Sequence, residues 1–344
     1  TERLHEFDGM IGPSPEDWRL LSQRGISPTA LETYATCPFQ FFARHVLRLE
    51  RLDVPEESTG PGAADFGELG HEILKASYRE LIEGGYFTGE ANHLEIGAAV
   101  SEAARKVFAK YELGHPVGYP LQWEYTKESL TQLIQQFVTE DMRDLSDSGY
   151  IPIALEVECA ELFPPDWPEP LLGMQMNGRI DRVDYNPAAN RLRVIDYKFK
   201  LSSQPAPDDK DLYRSALRGQ KLQPLFYCVL GKRVRDEKSA TSEPRVEAQF
   251  YYLAQRWRDG PLVRARFVED ELHGKLGSEI RETVASLASG IRNGEFFMQR
   301  NERCLYCEVA EICRKNHPPS LWRTENDPLT APHRHLRSKD PDKL

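Results

Sequence analysis

Two aspartates and a lysine, Asp181, Asp196 and Lys198, lie in two consecutive segments whose composition is typical of β-strands. If these segments form a hairpin that turns between Ala188 and Ala189, the two aspartates lie opposite each other, with Cβ atoms about 5 Å apart. Lys198 follows Asp196 by two residues and therefore projects from the same face of its strand. Carboxylates on a buried face repel each other unless a cation binds between them, and hard oxygen ligands favour Mg²⁺ or Mn²⁺.

This set of groups is suited to phosphodiester hydrolysis. The metal would neutralise charge on the phosphate, Lys198 would hold or activate the attacking water, and the backbone carbonyl of Tyr197 could complete the ligand set. The D-x-K pattern alone is weak evidence, because it recurs at Asp208-Asp209-Lys210 in a polar segment where it predicts nothing. The prediction therefore depends on the strand context and on the local charge.

The local charge around the hairpin is opposite to that of the whole chain. The 344 residues carry a net charge of −10, which argues against a protein that simply coats nucleic acid. Residues 179–235, however, contain 13 Lys or Arg against 6 Asp or Glu, so this stretch is a candidate anion-binding site. The cations that we expect to contact phosphate are Arg191, Arg193, Lys200, Arg214, Arg218 and Lys221.

Composition and length limit the class of protein. With 40% hydrophobic and 28% charged residues the chain can build a globular core, and 344 residues suit one large domain or two modest ones. It has neither an apolar run long enough for a transmembrane helix nor a secretory signal, so we expect a bacterial cytoplasmic protein. Because the chain begins at Thr1 rather than Met, we expect a fragment or a processed form.

The elements that must position the hairpin follow from hydrophobic periodicity. We predict a connector at 1–25, a single domain at 26–316 and a mobile tail at 317–344, the domain comprising a helical part (26–150), an α/β core (151–295) and a cysteine segment (296–316). Helices are predicted from Ser27-Pro28 onward and near 64–84, 90–112, 123–148, 213–230 and 270–292, and strands near 151–163, 174–185, 191–199, 246–256 and 261–268. The fold class is therefore α/β, with a small mixed sheet flanked by helices.

Three of the six cysteines, Cys304, Cys307 and Cys313, fall within ten residues. They are one thiol short of a four-coordinate site, and Cys37 is the candidate for the fourth. A zinc ion, an iron–sulfur cluster and buried free thiols all remain open from spacing alone. We interpret the other two cysteines, Cys159 and Cys228, as core residues.

The runs GRIDRVD (178–184) and VIDYK (194–198) resemble the PD-(D/E)xK nucleases of the RecB and AddB type. Further motifs in the same order, GELGH (67–71), QPLFY (223–227) and SPTALETYATCPF (27–39), resemble those of the same family. The resemblance implies a restriction-endonuclease-like core carrying a helical insertion. It also implies that His71 is a metal ligand, and that Gln223 and Tyr227 support the active site and contact DNA.

The accessory motifs also have simpler explanations. A lone helical histidine such as His71 is usually structural, and Gln223 and Tyr227 are spaced as on any polar–aromatic helix face. Glu156 and Glu158 could add acidic groups to the site or form a solvated face. Asp184 belongs to the face opposite Asp181 unless a β-bulge intervenes.

The one-plus-three cysteine arrangement matches the iron–sulfur staple of AddB-type nucleases, which implies a [4Fe–4S] cluster joining the N- and C-terminal parts. The polar leader HEFDGMIGPSPED resembles the connector before that domain. Together these features imply a metal-dependent DNA nuclease that uses Mg²⁺ or Mn²⁺. We expect a single-strand exonuclease of an AddB-like helicase–nuclease in recombinational break repair, supplied with DNA by a helicase partner. A stand-alone CRISPR-adaptation nuclease and a catalytically idle DNA-binding or structural module are the alternatives.

Overall fold

A five-stranded mixed sheet forms the centre of the molecule. The structure, a computed structural model, describes residues 3–50, 60–88, 93–200, 206–234, 243–254 and 264–343. The strands follow one another in the order β1-β2-β3-β4-β5; β3 and β4 pair in parallel and the other pairs are antiparallel. Their bounds are β1 Ile151–Leu162, β2 Gln175–Asn186, β3 Arg191–Lys200, β4 Arg245–Ala254 and β5 Arg264–Val268. This agrees with the predicted small mixed sheet.

Helices cover both faces of the sheet. They are α1 Pro15–Arg24, α2 Pro28–Thr36, α3 Pro38–Phe41, α4 Ala63–Glu83, α5 His93–Gly114, α6 Pro120–Ser148, α7 Asp209–Leu217, α8 Gln223–Gly231, α9 Lys275–Arg292, α10 Pro318–Asn326 and α11 Ala331–Leu336. Alternate residues of β3 point into different cores: Leu192 and Val194 pack with α2, α7, α8 and α9, whereas Ile195 and Tyr197 pack with α4, α5 and α6. None of the helices in the described ranges combines the length and apolar composition that crossing a bilayer requires.

The β2–β3 hairpin has the predicted register. Arg182 pairs with Ile195 and Asn186 with Arg191, as expected for a turn between Ala188 and Ala189. The Asn186 side chain accepts a hydrogen bond from the Ala189 amide within the turn, which is a common role for asparagine in such connections. The alternation of side chains along the two strands and the turn-forming residues between them were therefore sufficient to predict the register of the strands that carry the aspartates.

The helix predicted over 213–230 is wrong as a single element, because it is two helices, α7 and α8. The chain turns at Gly219, which has a φ of +70°, a conformation that residues with a Cβ rarely adopt. A Cβ at Gly219 would lie 2.8 Å from Leu287 and 3.0 Å from Ala35, so the turn packs closely against α9 and α2. The break allows α8 to begin at Gln223, beside β3.

The terminal segments contain helices that the sequence pattern did not predict. Residues 15–24 of the expected connector form α1, capped by the Ser14 side chain, and the expected mobile tail forms α10 and α11. The prediction missed a buried ion pair, in which Arg323 of the tail donates to the Asp8 carboxylate at 2.7 and 2.9 Å. Because both partners are buried, the two ends of the chain fold against each other.

A fully buried arginine, Arg182, joins the sheet to the helical part. Its guanidinium lies 2.7 Å from the Asp141 carboxylate of α6 and 2.9 Å from that of Asp184, and 4.3 Å from the ring centroid of Tyr78 in α4. The Tyr78 hydroxyl donates to Asp141. Asp184 is thus a structural residue on the face covered by the helical part, as alternation predicted for it.

We expect Arg182→Met to lower the free energy of unfolding by about 3–5 kcal/mol, because it leaves buried carboxylates without their countercharge. Chemical denaturation measures this change. Arg266→Met is the control, since its ion pair with Asp209 is about half exposed on both sides and should contribute less than about 1 kcal/mol. Equal losses in the two variants would contradict the structural role of Arg182.

Candidate active site

The candidate site lies where β2 and β3 stop pairing. The paired residues end at Arg182 and Ile195, and one residue further on the Asp181 carboxylate accepts a hydrogen bond from the Tyr197 amide at 2.8 Å. The side chain thus takes the place of a main-chain acceptor at the point where the strands separate. This bond fixes one carboxylate oxygen of Asp181 beside the start of the D-x-K segment.

Two more potential ligands converge on Asp181. Nδ1 of His71, from α4, lies 3.3 Å from Asp181 Oδ2. Glu156 of β1 lies between Leu155 and Val157, whose partners are Arg182 and Ile180, and therefore lies opposite Asp181. One ligand atom from each of His71, Glu156 and Asp181 lies within 4.8 Å of the others. These nitrogen and oxygen donors suit a divalent cation.

Glu156 has an unusual backbone and a charged neighbour. Its φ of +50° is in the left-handed region, which is strained for a residue other than glycine and persists where the surrounding structure enforces it. The Glu156 carboxylate also accepts a hydrogen bond from Arg179 at 2.6 Å, while Arg179 itself is half exposed. The role of Glu156 cannot be decided from the sequence, because the residue pattern of the strand shows neither the φ angle nor the convergence with His71.

A chain of hydrogen bonds links the other half of the site. Lys198 Nζ lies 2.6 Å from Asp196 Oδ2 and donates to Gln223 Oε1 at 2.9 Å. Gln223 Nε2 donates to the Tyr227 hydroxyl at 3.3 Å, and that hydroxyl lies 3.2 Å from Asp196 Oδ1 and 2.9 Å from the Arg179 carbonyl. The structure thus brings Gln223 and Tyr227 to the D-x-K pair. Among the described residues Asp196 does not belong to the close ligand set around Asp181.

The electrostatics favour a bound cation. Burial and the nearby Asp196 carboxylate raise the pKa of Asp181 well above its ordinary value, and a bound positive ion would favour its ionised form. Burial lowers the pKa of His71, which leaves a neutral imidazole with a free lone pair at neutral pH. Although burial opposes its charge, the Asp196 carboxylate raises the pKa of Lys198, which is therefore an ammonium group. Such a lysine can donate hydrogen bonds but cannot take a proton from water.

Comparison with known proteins identifies the family. The model of the PD-(D/E)XK nuclease superfamily matches residues 25–314, which include the whole of this site. The chain belongs to the PD-(D/E)XK nuclease superfamily. The family is one of hydrolytic nucleases that use divalent metals, which agrees with the donor set around Asp181.

Curated relatives of this nuclease domain are much longer proteins. One from Desulforudis audaxviator, described as an ATP-dependent helicase/deoxyribonuclease subunit, is 30% identical over 252 residues, which cover 70% of this chain and 20% of that protein. The protein of the same description in Anoxybacillus flavithermus is 29% identical over 280 residues, 78% of this chain and 23% of the relative. The chain therefore spans about a fifth of the length of these relatives. A solved structure from Eubacterium rectale, described as a proposed exonuclease, covers 88% of this chain and 94% of its own at a TM-score of 0.43 and 13% identity.

The four cysteines of the predicted cluster come together at a second place. Cys37, Cys304, Cys307 and Cys313 line one small cavity, and none of the six cysteines forms a disulfide. Backbone amides donate to two of the sulfurs: Gln299 to Cys37 at 3.3 Å and Asn301 to Cys304 at 3.4 Å. The residues that line this cavity thus come from the end of α2 and from the segment after α9.

The four arginines that were predicted to contact DNA lie in different surroundings. Arg193 is buried against Asp144, Glu247 and the Tyr150 ring, so it is a structural residue and the prediction that it contacts DNA is wrong. Arg214 forms ion pairs with Asp211 and Asp340, and Arg218 donates to the Lys339 carbonyl. Arg191 lies at the hairpin end of β3, about 16 Å along the strand from Asp196.

Two lysines remain. Lys221 lies near Lys198 and Glu32, and within the described residues it forms no ion pair. The side chain of Lys200 lies outside the described residues. Among the predicted phosphate contacts whose side chains the structure describes, Lys221 is the one that lies near Lys198 and Asp196.

Proposed function

We propose that this chain is a metal-dependent DNA nuclease domain that hydrolyses phosphodiester bonds. The observation that carries the proposal is the convergence of His71, Glu156 and Asp181 next to the Asp196–Lys198 pair. Three potential ligands on one side and a partly buried ammonium group on the other are the parts that cleavage of a phosphodiester requires.

In this proposal the divalent metal, Mg²⁺ or Mn²⁺, is held by His71, Asp181 and Asp196, with the Tyr197 carbonyl as the predicted backbone ligand and Glu156 as a further carboxylate. The described contact of Tyr197 is made by its amide, so its carbonyl remains a prediction. When bound, such an ion polarises the phosphate and lowers the pKa of an attacking water.

The roles of the remaining residues follow from their contacts. Lys198 donates hydrogen bonds to the attacking water or to a phosphate oxygen, and stabilises the negative charge that develops there. Gln223 holds the Lys198 ammonium group, and Tyr227 holds the Asp196 carboxylate. Lys221 is our candidate for binding a neighbouring phosphate of the strand. Arg191, Lys200, Arg214 and Arg218 are weaker candidates for DNA contacts further along the strand.

We further propose that the domain degrades single-stranded DNA from an end and acts within an AddB-like helicase–nuclease in recombinational repair of double-strand breaks. The description of the relatives as helicase/deoxyribonuclease subunits supports this proposal, as does their greater length. In such an assembly the helicase supplies the single strand. The net charge of −10 agrees with the proposal that a helicase supplies the DNA, since an acidic domain binds DNA weakly by itself.

The test uses three labelled substrates: a linear single strand, a linear duplex and a circular single strand. With Mg²⁺ or Mn²⁺ we expect the linear single strand to be shortened from one end, the circle to stay intact, and EDTA to stop the reaction. Cleavage of the circle would contradict the exonuclease assignment. Failure to cleave any of the substrates with metal present would favour a DNA-binding or structural module.

We propose in addition that Cys37, Cys304, Cys307 and Cys313 hold a [4Fe–4S] cluster that fastens α2 to the C-terminal part. The cavity they share supports this, and so does their spacing.

Purification without oxygen is expected to give a brown protein with about four iron atoms per chain, and Cys37→Ser should lose most of the iron. The control is Cys159→Ser, because Cys159 lies in β1 and does not line the cysteine cavity. Iron and sulfide analysis measures the outcome. A colourless protein that contains one zinc ion would contradict the cluster.

A further inference from the structure

A partly buried glutamate that takes no part in the mechanism above, Glu32, makes an unusual contact. It lies in α2, and its Oε1 accepts hydrogen bonds from the backbone amides of Leu222 at 2.6 Å and Gln223 at 3.1 Å. The carboxylate therefore belongs to one helix and is bonded to the first residues of another, α8. Charged acceptors of this kind form stronger bonds to amides than neutral acceptors do.

Helix α8 needs such a partner because it has no cap of its own. The first amides of a helix have no acceptor within the helix, and a local side chain usually supplies one. The residue before α8, Leu222, has no side-chain oxygen. Glu32 provides the missing acceptor from elsewhere in the chain, and its negative charge also interacts favourably with the helix dipole.

The start of α8 is the part of the helix that contacts the reactive groups. Gln223, whose amide Glu32 binds, is also the residue whose side chain accepts from Lys198 at 2.9 Å. One turn later Tyr227 lies 3.2 Å from Asp196. Movement of the first turn of α8 would therefore displace the hydrogen bond that fixes the Lys198 ammonium group.

We propose that Glu32 is a positioning residue that fixes the first turn of α8 and thereby holds Gln223 against Lys198. This inference rests on the proposed nuclease function, because its consequence is a change in cleavage rate. Misplacement of a catalytic group by about 1 Å can lower a rate by up to about 100-fold. We therefore expect Glu32→Ala to lower kcat by about 10- to 100-fold and to change KM for DNA by less than about threefold.

A double-mutant cycle separates positioning from general stabilisation. If Glu32 acts through Gln223, Glu32→Ala should have little further effect on kcat in a Gln223→Ala background. Glu32→Gln keeps an acceptor oxygen and should restore kcat to within about fivefold of the wild type. If the alanine variant does not fold, Glu32→Met, which has a similar length but no acceptor oxygen, replaces it in the cycle. Multiplicative losses of kcat in the double variant would overturn the proposal.

The matched control is Asp327→Ala. Asp327 is a buried carboxylate that likewise accepts two backbone amide bonds, from Leu4 at 2.7 Å and Leu329 at 2.9 Å, but it lies between α10 and α11. We expect this variant to lower the melting temperature while kcat stays unchanged. If Glu32→Ala behaves in the same way, Glu32 is merely structural and the proposal is wrong.

Hydrogen exchange distinguishes failure of this inference from failure of the proposed function. If the wild type cleaves no DNA, the function is wrong, but the exchange of the Leu222 and Gln223 amides can still be followed. Faster exchange in Glu32→Ala than in the wild type or in Asp327→Ala would support the assignment of Glu32 as the anchor of α8. Unchanged protection of these amides would overturn it.

Discussion

Replacing Lys198 with methionine is expected to lower the rate constant of DNA cleavage by about 10³-fold, with metal affinity changed only severalfold. Methionine has a similar length but no charge, so it removes the hydrogen bonds to Asp196 and Gln223 and leaves the developing negative charge on phosphate without a partner. Because the Asp196 carboxylate raises the pKa of Lys198, the lost contribution is that of an ammonium group and not of a base. Single-turnover cleavage at saturating Mg²⁺ measures the effect.

The chain offers a control with the same local pattern. Lys210 ends the second D-x-K run, Asp208-Asp209-Lys210, but it is half exposed and paired with Asp342. Lys210→Met should leave the cleavage rate within about twofold of the wild type, as is usual for exposed charges remote from a site. Equal losses in the two variants would contradict the assignment of the β3 motif.

Asp181→Asn is expected to weaken Mn²⁺ binding by at least about 100-fold, since even changes to residues that only support a metal ligand cost 10- to 100-fold. In the absence of metal the variant should be as stable as the wild type or more so. Burial and the Asp196 charge raise the pKa of Asp181, so ionised Asp181 is unfavourable until a cation binds. Asparagine retains an oxygen that can accept from the Tyr197 amide.

Thermal unfolding with and without Mn²⁺ tests both parts of this prediction, because a bound ion stabilises the folded state according to its affinity. The wild type should gain stability with Mn²⁺, and Asp181→Asn should not. Asp184→Asn is the counterpart: it weakens the buried pair with Arg182, so it should lose stability but keep the response to Mn²⁺. A full Mn²⁺ response in Asp181→Asn would exclude this carboxylate as a ligand.

The arrangement of Asp181, Asp196 and Lys198 could be predicted from the sequence because it depends on the pairing of two neighbouring strands. Alternation and the turn at 186–190 determine the hairpin register, and the register determines how Asp181 is placed relative to Asp196 and Lys198. The same signals, side-chain alternation and turn-forming residues, predicted most of the strands. It was insufficient where a glycine with positive φ divides a helical pattern, as Gly219 does between α7 and α8.

The unpredicted features depend on contacts between distant parts of the chain. Arg193 alternates with apolar residues and therefore looked solvent-exposed, but α4, α5 and α6 cover that face of the sheet and enclose it. Glu32 bonds to amides that lie far away in sequence, and Asp8 pairs with Arg323 near the other end of the chain. Patterns of neighbouring residues carry no information about such partners, which appear only once the helices are packed.

Cleavage of an end-labelled single strand by the wild type and by Asp196→Ala, each with Mg²⁺ or Mn²⁺, decides whether the β2–β3 hairpin carries the active site. Asp196 contacts both Lys198 and Tyr227, so its loss should disable the whole site. We expect shortened products with the wild type, none with EDTA, and a rate at least about 10³-fold lower for Asp196→Ala. Equal cleavage by the two proteins would contradict the assignment of the active site to this hairpin.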